Sequence, residues 1–430
     1  MNRKSFWIFI SALHALFFMK QILVYNSLIQ DSVEYIFAAD NLLHKGTLYA
    51  WNMNYAFNAD WLTKRPILYP LILLFFKWLS FGNQWLFFFI TYLVQNLLSL
   101  NAIRLCLKIA DRYKASYTWW QITLFIGLST SQIIYANLVM SEIWLQSCLL
   151  GIVYLLLMPP FTTNNFLKIA LLLAAGLLIK PVLLFACILL PPIYLLLRRK
   201  QSKVSELAIS LMPLMLYFAV SGINMKRTGH FQYSSITTIN LLHYNTYVTL
   251  MSEYGTQKAD SIIDNIKIAT REMSYSDKQQ YLETAAKAQL SAHLPKYAWL
   301  HSRGIVLALL DPGRFDYTQF FHLPHKTNLI YQTNQKGMLG TILKSFLNPL
   351  GAWLMVLFLF NLFRLFKGVQ FIFNKDLAWP LKWAVMAFPI YILTFTGPIG
   401  TSRFFMPLIP FAFLMFVMAN YKKPIEHQPG

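Results

Sequence analysis

Apolar runs close to the length of a membrane crossing recur along almost the whole chain, at about residues 6–25, 84–103, 142–158, 206–224, 346–366, 379–396 and 404–419. A hydrocarbon core of roughly 30 Å calls for about 20 apolar residues in helical form. Inside lipid every backbone N–H and C=O must be paired within the protein, which leaves helices or closed barrels. No run here shows the apolar–polar alternation of a barrel strand. The sequence therefore predicts an all-α polytopic membrane protein. Composition agrees, since 57% of the 430 residues are apolar and 13% charged, a balance that excludes an ordinary soluble enzyme.

The formal net charge of +20 would suggest a nucleic-acid partner in a soluble protein. Here Lys and Arg stand in short clusters between apolar runs and read as orientation signals, so no nucleic acid is expected. Arg3 and Lys4 precede the first run. Arg198, Arg199, Lys200 and Lys203 follow another, Arg364, Lys367 and Lys375 a third, and Lys422 and Lys423 the last. These clusters predict that the N- and C-termini are cytoplasmic. The first run has no small-residue cleavage site and is expected to be a retained span, not a cleaved signal. Cys106, Cys148 and Cys187 lie in or beside apolar runs without metal-ligand spacing, so neither a disulfide nor a zinc site is expected.

With the N-terminus inside, a loop of about 27–65 faces outside, and a second external region spans 225–345. The chain then divides into a membrane module, 1–224, that carries the loop 27–65, a mainly helical external region, 225–345, and a closing set of membrane helices, 346–430. In the second region Ser276 with Gln279 reads as a capping box opening a helix to about His293 that Pro295 ends. Asp311, Pro312 and Gly313 read as a turn. Two external loops and an internal Arg198 cluster require an odd number of crossings between Pro66 and Leu197, yet six apolar segments fill that stretch. At least one must be broken or re-entrant, and Arg104, Lys108, Arg112 and Lys114 push the irregularity toward 67–103. Such backbone is tolerated at membrane depth only beside protein or a water-filled cavity, so a cavity is expected near the loop 27–65.

Charges in and beside the apolar runs are the candidates for chemistry. Asp31 and Glu34, as an N-cap and its N3 partner, would open a surface helix ended by Gly46. A capping carboxylate beside a cavity can also accept a proton. Lys64 and Arg65 precede Pro66, Tyr69 and Pro70 at the mouth of the next run, where an Arg is ordinarily an interfacial anchor. Glu142 follows Ser141 at the junction of two apolar segments, where a carboxylate costs on the order of 2.5–3.5 kcal/mol and is usually partnered or functional. Lys180, followed by Pro181, interrupts a long apolar run, which favours function over snorkelling. Arg403 stands between Gly397, Pro398, Gly400 and the last run, with an interfacial anchor as its even alternative. His14 and Trp51, Trp61, Trp78, Trp119 and Trp120 read as packing and aromatic-belt residues. No phosphate-cradling Gly-rich loop, HExxH, nucleophile elbow or CxxC pair is present.

Four stretches carry a family likeness: DSVEYIFAADNLLHKGTLY with KRPILYPLILLFF after it, NLVMSEIWLQSCLLGIVYLL, LLLAAGLLIKPVLLFACILL, and TSRFFMPLIPFAFLM. Their order resembles the membrane-embedded GT-C glycosyltransferases, in particular bacterial relatives of protein O-mannosyltransferases and lipid A aminoarabinose transferases. The resemblance implies a GT-C-type bundle of roughly 10–12 transmembrane segments, with the active site on the periplasmic face of the inner membrane. It implies transfer of a sugar from a polyprenyl-phosphate donor, with inversion, to a lipid-linked glycan, lipid A or protein acceptor, among membrane lipids. Asp31 looks like the family's essential acid and is the expected base, and Glu142 looks like its second acidic position. Lys64 and Arg65 match the basic position before the Pro-x-x-Tyr-Pro turn that holds Tyr69, and Glu34 and Tyr35 accompany Asp31. Lys180 stands where relatives carry Arg before Pro, which keeps the charge and loses the bidentate fork for phosphate. Arg403 joins these cations as a phosphate ligand. Ser32 replaces the second acid that follows the first in many relatives, so no cofactor is called for and a divalent cation stays open.

Two other classes compete. A transporter or flippase would also bury scattered charges, but such proteins more often show paired halves with matching broken helices, and none is visible. A polysaccharide polymerase or ligase would draw on late-loop cations, for which Arg314, His322 and His325 are the candidates. A non-enzymatic scaffold leaves Glu142 and Lys180 unexplained.

Overall fold

The computed structural model describes residues 1–24, 26–158, 162–197, 204–323 and 349–421, and within them every regular element is helical. The first half comprises α1 (Arg3–Met19), running on as a π turn (Lys20–Val24), α2 (Gln30–Lys45), α3 (Asp60–Thr63), α4 (Leu68–Leu79), α5 (Gln84–Arg112), α6 (Trp119–Leu128), α7 (Thr130–Ala136), α8 (Glu142–Leu157), α9 (Thr163–Ile179), α10 (Leu184–Leu197) and α11 (Val204–Thr228). Then come α12 (Ile236–Ile239), α13 (Tyr247–Tyr254), α14 (Thr256–Ala269), α15 (Tyr275–Ala292), α16 (Leu294–Leu310) and α17 (Arg314–Phe320). The last described stretch holds α18 (Pro349–Phe373), α19 (Trp379–Thr394), α20 (Ser402–Phe405) and α21 (Ile409–Met418). Arg3–Val24, α5, α11 and α18 are long and apolar enough to cross a membrane, and shorter apolar helices stand among them. The chain is a multi-pass membrane protein.

The irregular backbone falls later than the charge pattern suggests. α5 runs unbroken for 29 residues, so within 67–103 the departure is α4, whose 12 residues reach only about 18 Å. The main interruptions lie at Ser129 between α6 and α7, at 137–141 before α8, and at Lys180 after α9. Basic residues at the end of α5 are exposed and leave its helix intact. Helices stop instead where backbone can bond elsewhere or where Pro follows. A buried polar stripe on α5, Thr91, Gln95, Asn96 and Ser99, serves the break at 137–141. Gln95 donates to the Leu138 carbonyl (2.7 Å) and Asn96 to the Asn137 side-chain oxygen (2.8 Å), while Gln21 donates to the Asn137 carbonyl (2.5 Å). Freed backbone groups are thus satisfied by protein, the condition for non-helical chain at this depth.

Around that stripe the main apolar core gathers α5, α8 and α21, with Tyr92, Ile109, Leu149, Leu150, Phe411 and Leu414 fully buried. Helices 12–15 and the turn between them enclose a separate small core of Leu242, Leu250, Ala259, Ile263, Ile266, Leu282 and Ala286. Its longest helix, α15, is capped two residues earlier than the Ser276–Gln279 pattern suggests. Ser274 accepts the Asp277 N–H (3.3 Å), while Gln279 is buried and donates to Asp60 (2.7 Å). α15 ends at His293, but Pro295 lies in the first turn of the next helix, where its missing N–H is no loss. Arg364 does not follow a span, because α18 continues to Phe373 and buries it in the helix interior. Arg198, Arg199, Lys200, Lys203, Lys422, Lys423 and His325 lie outside the described residues.

Candidate active site

The first loop folds as α2 because its sequence is rich in helix formers. Its small residues Ala38 and Ala39 let it pack close on α4, and Gly46 adopts φ +64 to end it. Asp31 is not the N-cap. It lies one position inside the helix, with Ile29 before the first turn. Its carboxylate is engaged by two guanidinium groups instead: Arg65 donates to one oxygen (2.6 Å) and Arg403 to the other (2.5 Å).

Arg65 is placed by the polypeptide just before α4. Arg227 holds the Leu62 carbonyl (3.0 Å), and Ser234 holds that of Lys64 (3.0 Å). The Arg65 guanidinium lies 4.8 Å from the Tyr35 ring centre and also bonds Glu34 through Nε (2.7 Å). Lys64 bonds the other Glu34 oxygen (2.9 Å) and sits over the Trp61 ring at 4.0 Å. Tyr35 meets Ser141 through its hydroxyl (3.1 Å) and Tyr69 edge to face at 4.8 Å, and Tyr69 donates to Gln95 (2.9 Å).

The other half of the cluster is built from helix breaks. Glu142 is the first residue of α8, immediately after the interrupted backbone. Lys180 caps the C-terminus of α9 in an extended conformation, which the following Pro181 favours. Arg403 lies in α20, after a loop whose Gly400 packs against Gly304 of α16 so closely that a Cβ would come within 2.0 Å of the Gly304 carbonyl oxygen. One oxygen of Glu142 receives both Lys180 (2.8 Å) and Arg403 (2.7 Å). Its second oxygen has no hydrogen-bond partner among the described residues.

The result is one continuous chain of ion pairs, Lys64–Glu34–Arg65–Asp31–Arg403–Glu142–Lys180. The seven charged residues that the transferase resemblance singles out all enter it, from stretches up to 372 positions apart. Four cations against three carboxylates leave one positive charge in excess. Glu142, Glu34 and Arg65 side chains are 0%, 1% and 8% exposed, whereas Asp31, Lys180 and Arg403 are 21%, 24% and 25% exposed, so these last three are the members a ligand can reach. Burial alone would push the Asp31 carboxyl up, but Arg403 and Arg65 outweigh it and hold the group well below the usual carboxylate range. Among the described residues no three His, Cys, Asp or Glu side chains gather to hold a metal. Each carboxylate of the cluster is engaged by at least one cation, and the second Glu142 oxygen is the acceptor atom left over.

Residues outside that ion-pair chain close the surroundings. Asp316 accepts from Tyr135 (2.9 Å), Ser402 (2.8 Å) and Ser131 (3.2 Å), and Asp311 accepts the Ser402 N–H (2.7 Å). Asp311 thus does more than make the turn with Gly313. The available signal was acidic residues spaced five apart in a region otherwise read as a turn. His322 lies 2.9 Å from Ser27, near Lys20 at the end of the first helix.

No family model matches the chain, and no curated protein matches it. Among solved structures it is similar to ArnT from Cupriavidus metallidurans, in a crystal structure bound to undecaprenyl phosphate. The likeness covers 97% of this chain and 77% of that one, with 11% sequence identity and a TM-score of 0.38. The apo structure of the same protein gives 11% and 0.37 over the same shares.

Proposed function

We propose that the chain is a GT-C-type membrane glycosyltransferase that moves a sugar from a polyprenyl-phosphate donor to a lipid-linked, glycan or protein acceptor. The observation that carries this reading is the seven-membered ion-pair chain, with its single excess positive charge and its three partly exposed members. A polyprenyl-phosphate sugar is a phosphodiester with one negative charge, which the excess matches. When the acceptor hydroxyl oxygen attacks the anomeric carbon, the bond to the phosphate oxygen breaks and the electron pair departs on the phosphate, which gains negative charge. Arg403 and Lys180, the two cations a ligand can reach, stabilise that developing charge more than the ground state, the requirement for catalysis, and Arg65 holds Asp31 beside them. Lys64 supports Glu34, and Tyr35 and Tyr69 wall the basic side.

Asp31 takes the acceptor's proton in this reading. Fully paired with two guanidinium groups it is a weak base. A donor phosphate that draws on Arg403 loosens its pair with Asp31 and raises the proton affinity of that carboxylate, so base strength appears when the donor is in place. Glu142 holds Arg403 and Lys180 toward the same point. The location that goes with this reading is the outer face of a cytoplasmic membrane.

The test is thermal stabilisation of the purified protein by undecaprenyl phosphate against undecaprenol in the same micelles. Stabilisation by the phosphate alone, lost in Arg403→Gln, supports the reading. Equal stabilisation by undecaprenol overturns it, as does Asp31→Asn retaining more than about a tenth of wild-type transfer, because a general base contributes typically 10²–10⁴-fold.

A further inference from the structure

The same short helix that carries Arg403 is held from its other side by a second set of buried groups. Ser402 donates its hydroxyl to Asp316 (2.8 Å) and its N–H to Asp311 (2.7 Å). Asp316 is 3% exposed and fixed by Tyr135 (2.9 Å) and Ser131 (3.2 Å) of α7. Asp311 is itself anchored, because its carbonyl accepts from Asn361 of α18 (3.0 Å) and its side chain accepts the Gly313 N–H (3.0 Å). Arg364, two-thirds of the way along α18, lies 4.0 Å over the Phe405 ring and donates to the Leu309 carbonyl (3.2 Å). Upstream, a Cβ on Gly304 would come within 2.1 Å of the Gly397 carbonyl oxygen, so the loop that leads into α20 is pressed backbone to backbone on α16.

These contacts leave α20 almost no freedom to rotate, although four residues make barely one helical turn and a free turn of that length does not hold its shape. Ser402 is the hinge of the arrangement. The next residue is Arg403, whose two donors must reach Asp31 and Glu142 at 2.5 and 2.7 Å. We propose that Asp311 and Asp316 are positioning residues, which clamp Ser402 from the end of α16 and from α17 and thereby aim Arg403 at the donor phosphate. The proposal rests on the transferase reading for its target and on the α20 contacts for its mechanics. Those two parts are separable by experiment.

The variants are Asp311→Ala, which removes the acceptor of the Ser402 N–H, and Ser402→Ala, which removes one hydroxyl and leaves the fold's other contacts in place. Two readouts are taken on the full-length protein in micelles: hydrogen exchange of the segment 401–405, and the midpoint of undecaprenyl phosphate binding. Exchange in 401–405 should rise roughly tenfold in Asp311→Ala, the equivalent of one hydrogen bond to a charged group. Binding should weaken about tenfold in both variants, and neither should weaken it further when Arg403→Gln is already present, because their effect passes through Arg403. Unchanged exchange at 401–405 overturns the clamp, as does a binding loss that adds in full to that of Arg403→Gln. If exchange rises while binding is indifferent to Arg403→Gln itself, the clamp stands and the phosphate-binding reading is what falls.

Discussion

Ser402 and Arg403, neighbours in one short helix, touch two groups of buried carboxylates that the protein treats in opposite ways. Asp31 and Glu142, on the Arg403 side, are matched by guanidinium and ammonium groups. Asp316, on the Ser402 side, receives three hydroxyl groups and, among the described residues, forms no ion pair. Burial, and after it the nearby Asp311 charge, push its carboxyl up to about 7 against the pull of those hydroxyls. Cations outweigh desolvation at Asp31, and hydroxyl donors do not outweigh it at Asp316. The difference teaches that cations keep a buried carboxylate charged, whereas hydroxyl donors alone leave it ready to take up a proton.

Removing the shared cation should break this contrast most severely. Arg403→Gln leaves Asp31 and Glu142 each short of a partner, and the donor phosphate short of its most exposed guanidinium. Transfer is expected to fall by about 10²–10³-fold, the range for losing one preorganised donor to developing charge. Retention of a tenth of wild-type kcat/KM would remove Arg403 from the phosphate site.

Lys180 should have a smaller effect, since it shares its Glu142 oxygen with Arg403. Lys180→Met is expected to lower kcat/KM by roughly one to three kcal/mol, and Lys180→Arg to keep most activity because its fork suits phosphate. Glu142→Gln in the Lys180→Met background should restore thermal stability by relieving a buried charge left with one cation in place of two, yet leave transfer impaired. Full recovery of activity in that double variant would make the pair structural and nothing more.

Much of this was legible in the chain. Helical spans follow from the length of the apolar runs, and Asp31, Glu142, Lys180 and Arg403 announce themselves because isolated charge beside lipid needs a reason. Periodicity along one segment carries no information on partners, however, so that Asp31 meets Arg403 across 372 positions became visible only in the fold. The cap reading of Asp31 failed because tertiary ion pairs claim its oxygens before the local helix can. The sequence leaves Asp316 unmarked and shows Asp311 only as part of a turn for a related reason. A carboxylate in a polar region looks unremarkable until the helices packed against it show Asp316 to be buried and Asp311 to hold the Ser402 N–H.

The smallest effects concern how Asp316 answers to pH, and they have definite signs. Its proton affinity is raised from an ordinary value of 3.8 to about 7 in the folded protein, so between those values the folded state binds more protons than the unfolded one. Stability from this group is therefore full below the ordinary range and is lost as pH rises through about 7. Asp31 runs the other way, since its lowered value means that its contribution is lost only as pH falls below the ordinary carboxylate range. Acidifying from pH 8 to 6 should raise the melting temperature of the wild type by a degree or two, roughly 1 kcal/mol, relative to that of Asp316→Asn over the same range, before Asp31 has any effect. Two substitutions sharpen the assignment because they should move the midpoint in opposite directions. Tyr135→Phe removes a donor that favours the charged form and should shift the midpoint upward, while Asp311→Asn removes a neighbouring negative charge and should shift it downward. Melting curves across pH 5 to 9 read both, and a midpoint that moves the same way in the two variants would mean that a group other than Asp316 titrates.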